Sequence, residues 1–222
     1  MEYNRIGLYF GSFNPMHSGH FFVIDKALKT AIDALFVVVS PQSPFKTIEE
    51  LAPFDDRVAM AELAIRDRGL QDKVRVVKWE MEKYPSYTID TLEFAKELFG
   101  KKVDITIFMG LDNFKSIDTW KGANVLVKEY GIYVIPRDCP DFSDVINNKI
   151  EQLNEWYGGV KSISYSNPYE SMNISATEIR DMILEGKEIP DGILTPSELT
   201  YIQEKNLYAQ TLVPVSALKN SQ

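Results

Sequence analysis

The sequence predicts a doubly wound α/β fold, a mostly parallel sheet with helices on both faces. Short runs rich in Val, Ile and Phe alternate with longer amphipathic segments along the chain. The purest run, ALFVVV at Ala34–Val39, is unbroken by any polar residue, as in a strand buried on both faces. No internal repeat or low-complexity tract interrupts the alternation.

Residues 6–10 form the first expected strand. A helix over about 19–32 follows, with Phe22, Val23, Ala27 and Leu28 on one face. After the second strand, Ala34–Val39, a helix over 55–68 carries Val58, Met60, Ala61, Leu63, Ala64 and Ile65. The third strand, 74–79, precedes a helix over 89–99 that ends at Gly100, a residue free to adopt the positive φ of a helix terminus. The fourth strand is 104–109, with a helix over about 124–128 and a fifth strand at Gly131–Ile135. A helix over 145–156 and a sixth strand at 160–164 complete the pattern. Residues 1–208 are read as one domain, and 209–222, weakly patterned, as a loosely ordered tail.

Composition sets outer bounds on function. Of 222 residues, 45% are hydrophobic and 25% charged, which excludes an intrinsically disordered chain. Twenty-four basic against 32 acidic residues give a net charge of −8, which disfavours a broad electrostatic grip on nucleic acid or on an anionic membrane. A single cysteine, Cys139, excludes an internal disulfide and any Cys cluster for zinc. The start lacks the form of a signal peptide, and no apolar stretch approaches the roughly 18 residues of a membrane helix, so a cytoplasmic location is expected.

In such sheets ligands bind beyond the carboxyl ends of the strands, near the point where strand order reverses. The first strand runs there into GSFNPMHSGH, residues 11–20. Gly11 allows the backbone to turn and approach a ligand, and Asn14-Pro15 is a turn signal. Ser18 and Gly19 open a helix whose free N–H groups and positive dipole end favour an anion. His17 and His20, the only histidines in the chain, stand three apart and so share one side of its first turn. A zinc site is a poor reading, because no third ligand is near, and the absence of Gly-Lys-Ser/Thr excludes a Walker A loop. Two readings stand on the residues alone: polar residues that merely start a helix, or imidazole donors aimed at a nucleoside triphosphate.

Further stations lie downstream. In MNISATEIR, Ser175 and Glu178 form a capping box, which accounts for both but not for Arg180, whose planar donor fork suits phosphate oxygens. SPQSPFK after the second strand carries Lys46, either a surface lysine or a phosphate ligand. In PSYTIDTL, Ser86 or Thr88 would cap the third helix, and the helix start also suits a small carboxylate. After the fourth strand, MGLDNF supplies Gly110 for close approach and Asp112 as a hydrogen-bond acceptor. Trp120 follows, either packed in the core or stacked on a flat ring.

GSFNPMHSGH resembles the G-[ST]-F-[DN]-P-x-H-x-G-H signature of the HxGH nucleotidyltransferase superfamily, and ISATEIR resembles its second hallmark, I-S-x-T-x-[IV]-R. SPQSPFK, PSYTIDTL, MGLDNF with the following TW, and VIPR are similar, in order, to stations of the bacterial nicotinate-nucleotide adenylyltransferase family, up to about residue 185. One departure is 138–157, longer than the family pattern. The resemblance implies a Rossmann-like nucleotidyltransferase fold and transfer of the adenylyl group of ATP to nicotinate mononucleotide, giving deamido-NAD and pyrophosphate. It implies catalytic roles for His17, His20 and Arg180. ATP would be held by Gly11, Ser12, Phe13, Gly110, Asp112, Arg137, Ile174, Ser175 and Thr177. Nicotinate mononucleotide would be held by Lys46, Ser86, Tyr87, Thr88 and Trp120. Mg²⁺ would come with ATP on its phosphates, without a protein cage. The implied partners are the two substrates, with neither nucleic acid nor membrane, and with room for a homo-oligomer. The rival readings are a relative that accepts nicotinamide mononucleotide or phosphopantetheine, and a non-catalytic nucleotide sensor; the second would be marked by loss of HxGH or of the arginine, and both are present.

Overall fold

The structure, a computed structural model, describes residues 3–41, 51–81, 85–136, 139–167 and 175–209. Lys46, Arg137, Ile174 and all of the expected tail after residue 209 lie outside the described residues. In chain order the elements are β1 (Arg5–Gly11), α1 (Ser18–Leu28), β2 (Ala34–Val39), α2 (Phe54–Asp67), β3 (Val74–Val77), α3 (Thr88–Phe99) and β4 (Asp104–Gly110). They continue with α4 (Leu111–Lys115), a 3-10 turn (Ile117–Thr119), α5 (Ala123–Glu129), β5 (Gly131–Ile135), α6 (Phe142–Tyr157), β6 (Ser162–Tyr165), α7 (Ala176–Leu184) and α8 (Pro196–Glu204).

The strands form a parallel sheet in the order β3-β2-β1-β4-β5-β6. This is the Rossmann-like arrangement expected, with the order reversing between β1 and β4. Alternation along each strand divides the core between the two faces. Leu35, Val37 and Val39 of β2 pack on one face with Phe21, Ile24 and Ala27 of α1 and Val58, Ala61 and Ala64 of α2. Ala34 and Phe36 point the other way, into a core shared with Ile89, Leu92 and Ala95 of α3, Leu126 of α5, and Ile146 and Leu153 of α6. A third cluster, Met60, Ile179, Ile193, Leu194 and Ile202, seats α7 and α8 against α2.

Several expectations change in detail. Helix α1 ends at Leu28 rather than near residue 32, where the Thr30 hydroxyl bonds the Ala27 carbonyl at 2.6 Å and competes with the helical ladder. Its buried face is Phe21, Val23, Ile24 and Ala27, with Phe22 and Leu28 only partly covered. Residues 111–115, to which the sequence reading assigned no element, form α4. Helix α8 was not expected, although Thr195, Pro196 and Glu198 spell a helix start with a capping box and Pro in the first turn. Gly100 ends α3 at φ 98°, as its position implied. No helix among the described residues is long and apolar enough to cross a membrane.

Candidate active site

The strand reversal opens a cleft of about 610 Å³ at the carboxyl ends of β1 and β4. Phe10, Gly11 and Ile135 form its floor. One wall carries Ser12, His17, Gly19 and His20, and the other carries Ser86–Thr88, Leu111–Asn113 and Thr119–Lys121.

The histidines hold each other in place through the helix start. His17 is the N-cap of α1, in extended conformation, and its Nδ1 accepts the Gly19 N–H at 3.1 Å. His20, three residues on, accepts the His17 N–H on its own Nδ1 at 3.1 Å. Together they form a capping box built from imidazoles instead of the usual Ser/Thr and Glu/Gln. A backbone N–H can only donate, so each Nδ1 is an acceptor and each ring carries its proton on Nε2. The ring centroids lie 4.0 Å apart, and His20 also edges the Phe13 ring at 5.0 Å. The helix-start reading is met, and the cap sets a tautomer with the proton on Nε2, as the donor reading requires.

Gly11 is small for a reason other than the one expected. A Cβ there would stand 2.9 Å from Phe13 Cζ and 3.1 Å from two more ring atoms. The glycine makes room for Phe13, which is turned into the core beside Tyr9 at a φ of 43° and is 1% exposed. Phe13 therefore cannot present its ring to a ligand, and only its backbone is available for the nucleotide contact that the resemblance implies. At Gly110 a Cβ would meet nothing within 4 Å, so there the open space belongs to the cleft. Asp112, in the first turn of α4, is exposed on that wall.

On the far side, α3 begins without a side-chain cap. Its N-cap is Tyr87, so neither Ser86 nor Thr88 fills the capping role expected of them. The Tyr87 carbonyl takes the amides of Asp90 and Thr91, at 3.0 and 3.4 Å, while the start of the helix faces the cleft. Lys121 lies 4.4 Å over the Tyr87 ring and pairs with Asp90 at 3.0 Å, tying the Trp120 loop to this helix start. Trp120 packs against the core, as one of its readings had it, and also lines the cleft. Beneath them Glu80, 2% exposed, accepts the Thr91 hydroxyl at 2.8 Å.

Arg180, Ser175 and Thr177 do not line the cleft. The Ser175–Glu178 capping box is formed at 2.6 and 3.2 Å. Arg180 donates from Nη1 to the Asn14 carbonyl at 3.0 Å and from Nη2 to Thr177 Oγ1 at 3.2 Å. It thus stands behind the histidine loop. The loop has other supports that sequence reasoning missed. Asn14, 1% exposed, accepts on Oδ1 from the Ala52 amide at 3.0 Å and the Tyr208 hydroxyl at 2.8 Å. Burial raises the Tyr208 phenol well above its ordinary value. Glu198 of α8, fully buried, accepts the Thr195 amide on Oε2 at 3.5 Å and lies by the Met16 amide, and burial pushes its carboxyl well above the usual range. Arg57 of α2 is buried beneath the same loop. Among the described residues no cluster of three or more His, Cys, Asp or Glu could hold a metal ion.

Comparison with known proteins agrees with this architecture. The cytidylyltransferase-like family model matches residues 8–182. The chain is 32% identical over 208 residues to a "Probable nicotinate-nucleotide adenylyltransferase" of Flavobacterium johnsoniae, spanning 92% of this chain and 98% of that protein. A protein of the same description from Porphyromonas gingivalis is 34% identical over 184 residues, 82% of this chain and 86% of the relative. The chain belongs to the nicotinate-nucleotide adenylyltransferase family. Membership makes it an enzyme of the nucleotidyltransferase class, and the histidine loop and the α7 start both fall within the matched span. The fold also matches that of the Plasmodium falciparum nicotinic acid mononucleotide adenylyltransferase solved with NaAD, at a TM-score of 0.75 and 23% identity over 92% of this chain and 97% of that one.

Proposed function

We propose that the enzyme transfers the adenylyl group of ATP to the phosphate of nicotinate mononucleotide. An acceptor phosphate oxygen attacks the α-phosphorus in line, the bond from that phosphorus to the bridging oxygen breaks, and pyrophosphate leaves with the electron pair. The nucleophile is already anionic at neutral pH, so the step needs no general base. What the protein must supply is alignment and stabilisation of the charge that moves onto the leaving group.

The observation that carries this reading is the imidazole capping box. It supports two neutral rings whose Nε2–H groups donate to the α–β region of the triphosphate, next to the positive end of α1. Ser12, Gly110 and Asp112 would bracket the nucleotide from the two sides of the strand reversal. Ser175, Thr177 and the remaining donors of Arg180 would meet the outer phosphates, with Arg137 and Ile174 flanking them. Mg²⁺ would arrive on the phosphates of ATP and neutralise their charge there. Lys46 would take the acceptor phosphate.

Acid is preferred over amide by the same physics. Trp120 would cover the pyridine ring, and the α3 start at Ser86, Tyr87 and Thr88 would present amides to its substituent. An uncapped helix start favours a carboxylate over a neutral carboxamide by about 1–3 kcal/mol, roughly tenfold to a few hundredfold in specificity. The test is pyrophosphate release with ATP and Mg²⁺, comparing nicotinate mononucleotide, nicotinamide mononucleotide and phosphopantetheine. The expected order has nicotinate mononucleotide first by at least tenfold in kcat/KM. Equal values for the two pyridine nucleotides would overturn the acid preference, and release with phosphopantetheine alone would overturn the assignment.

A further inference from the structure

Among the described residues, the largest fully buried side chain is a cation. Arg57, in the first turn of α2, is 1% exposed. An arginine in the interior is ordinarily paired with a carboxylate, because an isolated buried charge is strongly disfavoured. Among the described residues Arg57 bonds none. Its guanidinium is held by backbone carbonyls instead: Nε donates to Ala52 at 3.0 Å, Nη1 to Ser12 and Ser40 at 2.7 Å each, and Nη2 to Pro41 at 2.8 Å. Burial lowers it to about 10, so it stays charged at neutral pH.

The carbonyls it gathers belong to the functional loops. Ser12 opens the loop that carries the histidines, and Ser40–Pro41 leaves β2 toward Lys46. Ser12 and Ser40 both line the cleft, whereas Arg57 does not. Among the described residues the two loops are also joined directly, by the Ser40 amide on the Gly11 carbonyl at 2.9 Å and the Ala52 amide on Asn14 Oδ1 at 3.0 Å. Arg57 also fixes a peptide plane. With the Ser12 carbonyl drawn toward the guanidinium, the amide N–H of Phe13 in the same trans unit points the opposite way. A fork of donors in one rigid plane suits such a staple; an ammonium on a flexible stem does not.

We infer that Arg57 is a positioning residue for the transfer, stapling the donor loop to the acceptor loop from behind and so setting the affinity for both substrates at once. The inference rests on the reading given under Proposed function. A residue that merely holds the fold together behaves differently: its loss lowers thermal stability or the fraction of competent molecules, and leaves KM unchanged in those that remain.

The test is Arg57→Lys beside the wild type. Both KM values and kcat come from pyrophosphate release, and the competent fraction from calorimetric titration with a non-hydrolysable ATP analogue. The expected result is an unchanged stoichiometry, a rise of at least fivefold in KM for ATP and for nicotinate mononucleotide alike, and a lower kcat. A variant with both KM values at wild-type level, or with only one of them raised, overturns the staple. Should the variant not fold, the ¹⁵Nε–H signal of Arg57 in the wild-type protein decides: it is expected to shift on adding the ATP analogue and again on adding nicotinate mononucleotide, and a signal indifferent to both overturns the inference. A wild-type enzyme that releases no pyrophosphate with any acceptor sinks the proposed function and the staple together; an active wild type with an unaltered Arg57→Lys sinks the staple alone.

Discussion

Replacing His20 separates the two tasks its ring performs. The ring accepts the His17 amide on Nδ1 at 3.1 Å and carries a proton on Nε2. Alanine removes both. Loss of one preorganised donor raises a barrier by about 3–4 kcal/mol, which at about 1.4 kcal/mol per factor of ten lowers kcat by roughly 10²–10³. Loss of the cap removes about 1 kcal/mol of stability, the ordinary cost of deleting a helix cap, and at this chain length that is about 2–4 °C in Tm. Glutamine at the same position separates the two. Its carbonyl is a standard partner for the N-cap amide at the third helical position, so the cap and the Tm return. Its amide does not reproduce the imidazole donor, and kcat stays at least a hundredfold down. The assays are thermal unfolding by circular dichroism and steady-state pyrophosphate release on wild type, His20→Ala and His20→Gln. Turnover in His20→Gln within fivefold of wild type would refute the reasoning, since the cap alone would then account for the residue.

Four further substitutions probe other parts of the site. Thr88→Pro puts proline at the first position of α3, where it is tolerated and where Tyr87, at φ −122° and ψ 136°, already has the backbone that a following proline requires; it deletes one amide at the proposed carboxylate site. The preference for nicotinate over nicotinamide mononucleotide should fall about tenfold with little change in Tm, and an undiminished ratio of kcat/KM values would place the carboxylate elsewhere. Gly11→Ala drives a methyl to 2.9 Å from the buried Phe13 ring, a displacement worth about 1–3 kcal/mol of stability, whereas Gly110→Ala adds a methyl in open space and should leave the unfolding midpoint alone while raising KM for ATP. Urea denaturation and substrate titration check the pair, and equal destabilisation would contradict the packing. Glu198→Gln tests the buried carboxyl under Met16. Burial and Asp67 raise it, while the Thr195 and Met16 amides and Arg68 oppose the rise. The folded form therefore holds its proton above the pH at which the unfolded chain releases it, and wild-type stability falls as pH rises through that interval. Urea midpoints at about pH 5 and pH 8 should show the advantage of glutamine growing with pH, and parallel profiles would refute a raised carboxyl.

The strands and the Ser175 helix start were legible in the sequence because their information is local. Ala34–Val39 reads correctly from six apolar residues, and the Ser175–Glu178 box from four. The strand-reversal rule placed the cleft at Gly11 and Gly110, where it is. The histidine pair was legible as a pair, but its tautomers were not, since they depend on which nitrogen meets which amide. Helix α8 was missed despite a Thr-Pro-x-Glu start that the capping rules describe. Its apolar face is short, Ile202 with Leu199 and Tyr201 at the margin, so periodicity gave little support.

The residues behind the cleft were illegible for a different reason. Arg57 looks like an ordinary charge in the first turn of a helix, and only the fold brings it to Ser12, 45 positions away. Asn14 reads as half of a turn signal, yet it collects Arg180 from 166 residues on and Tyr208 from 194. A local motif can specify that two imidazoles cap one another, because that geometry closes within four residues. It cannot specify where the capped pair points. That direction is set where the motif loop is gripped from outside: by Arg57 at Ser12, by Arg180 and Tyr208 at Asn14, and by Glu198 at Met16. All these grips act on backbone or on a buried amide, so they place the loop without touching the cleft. Phosphate chemistry at β1 thus draws on α2, α7, α8 and the last described turn of the chain, and a substitution in any of these elements is expected to register as altered substrate affinity before it registers as loss of the sheet.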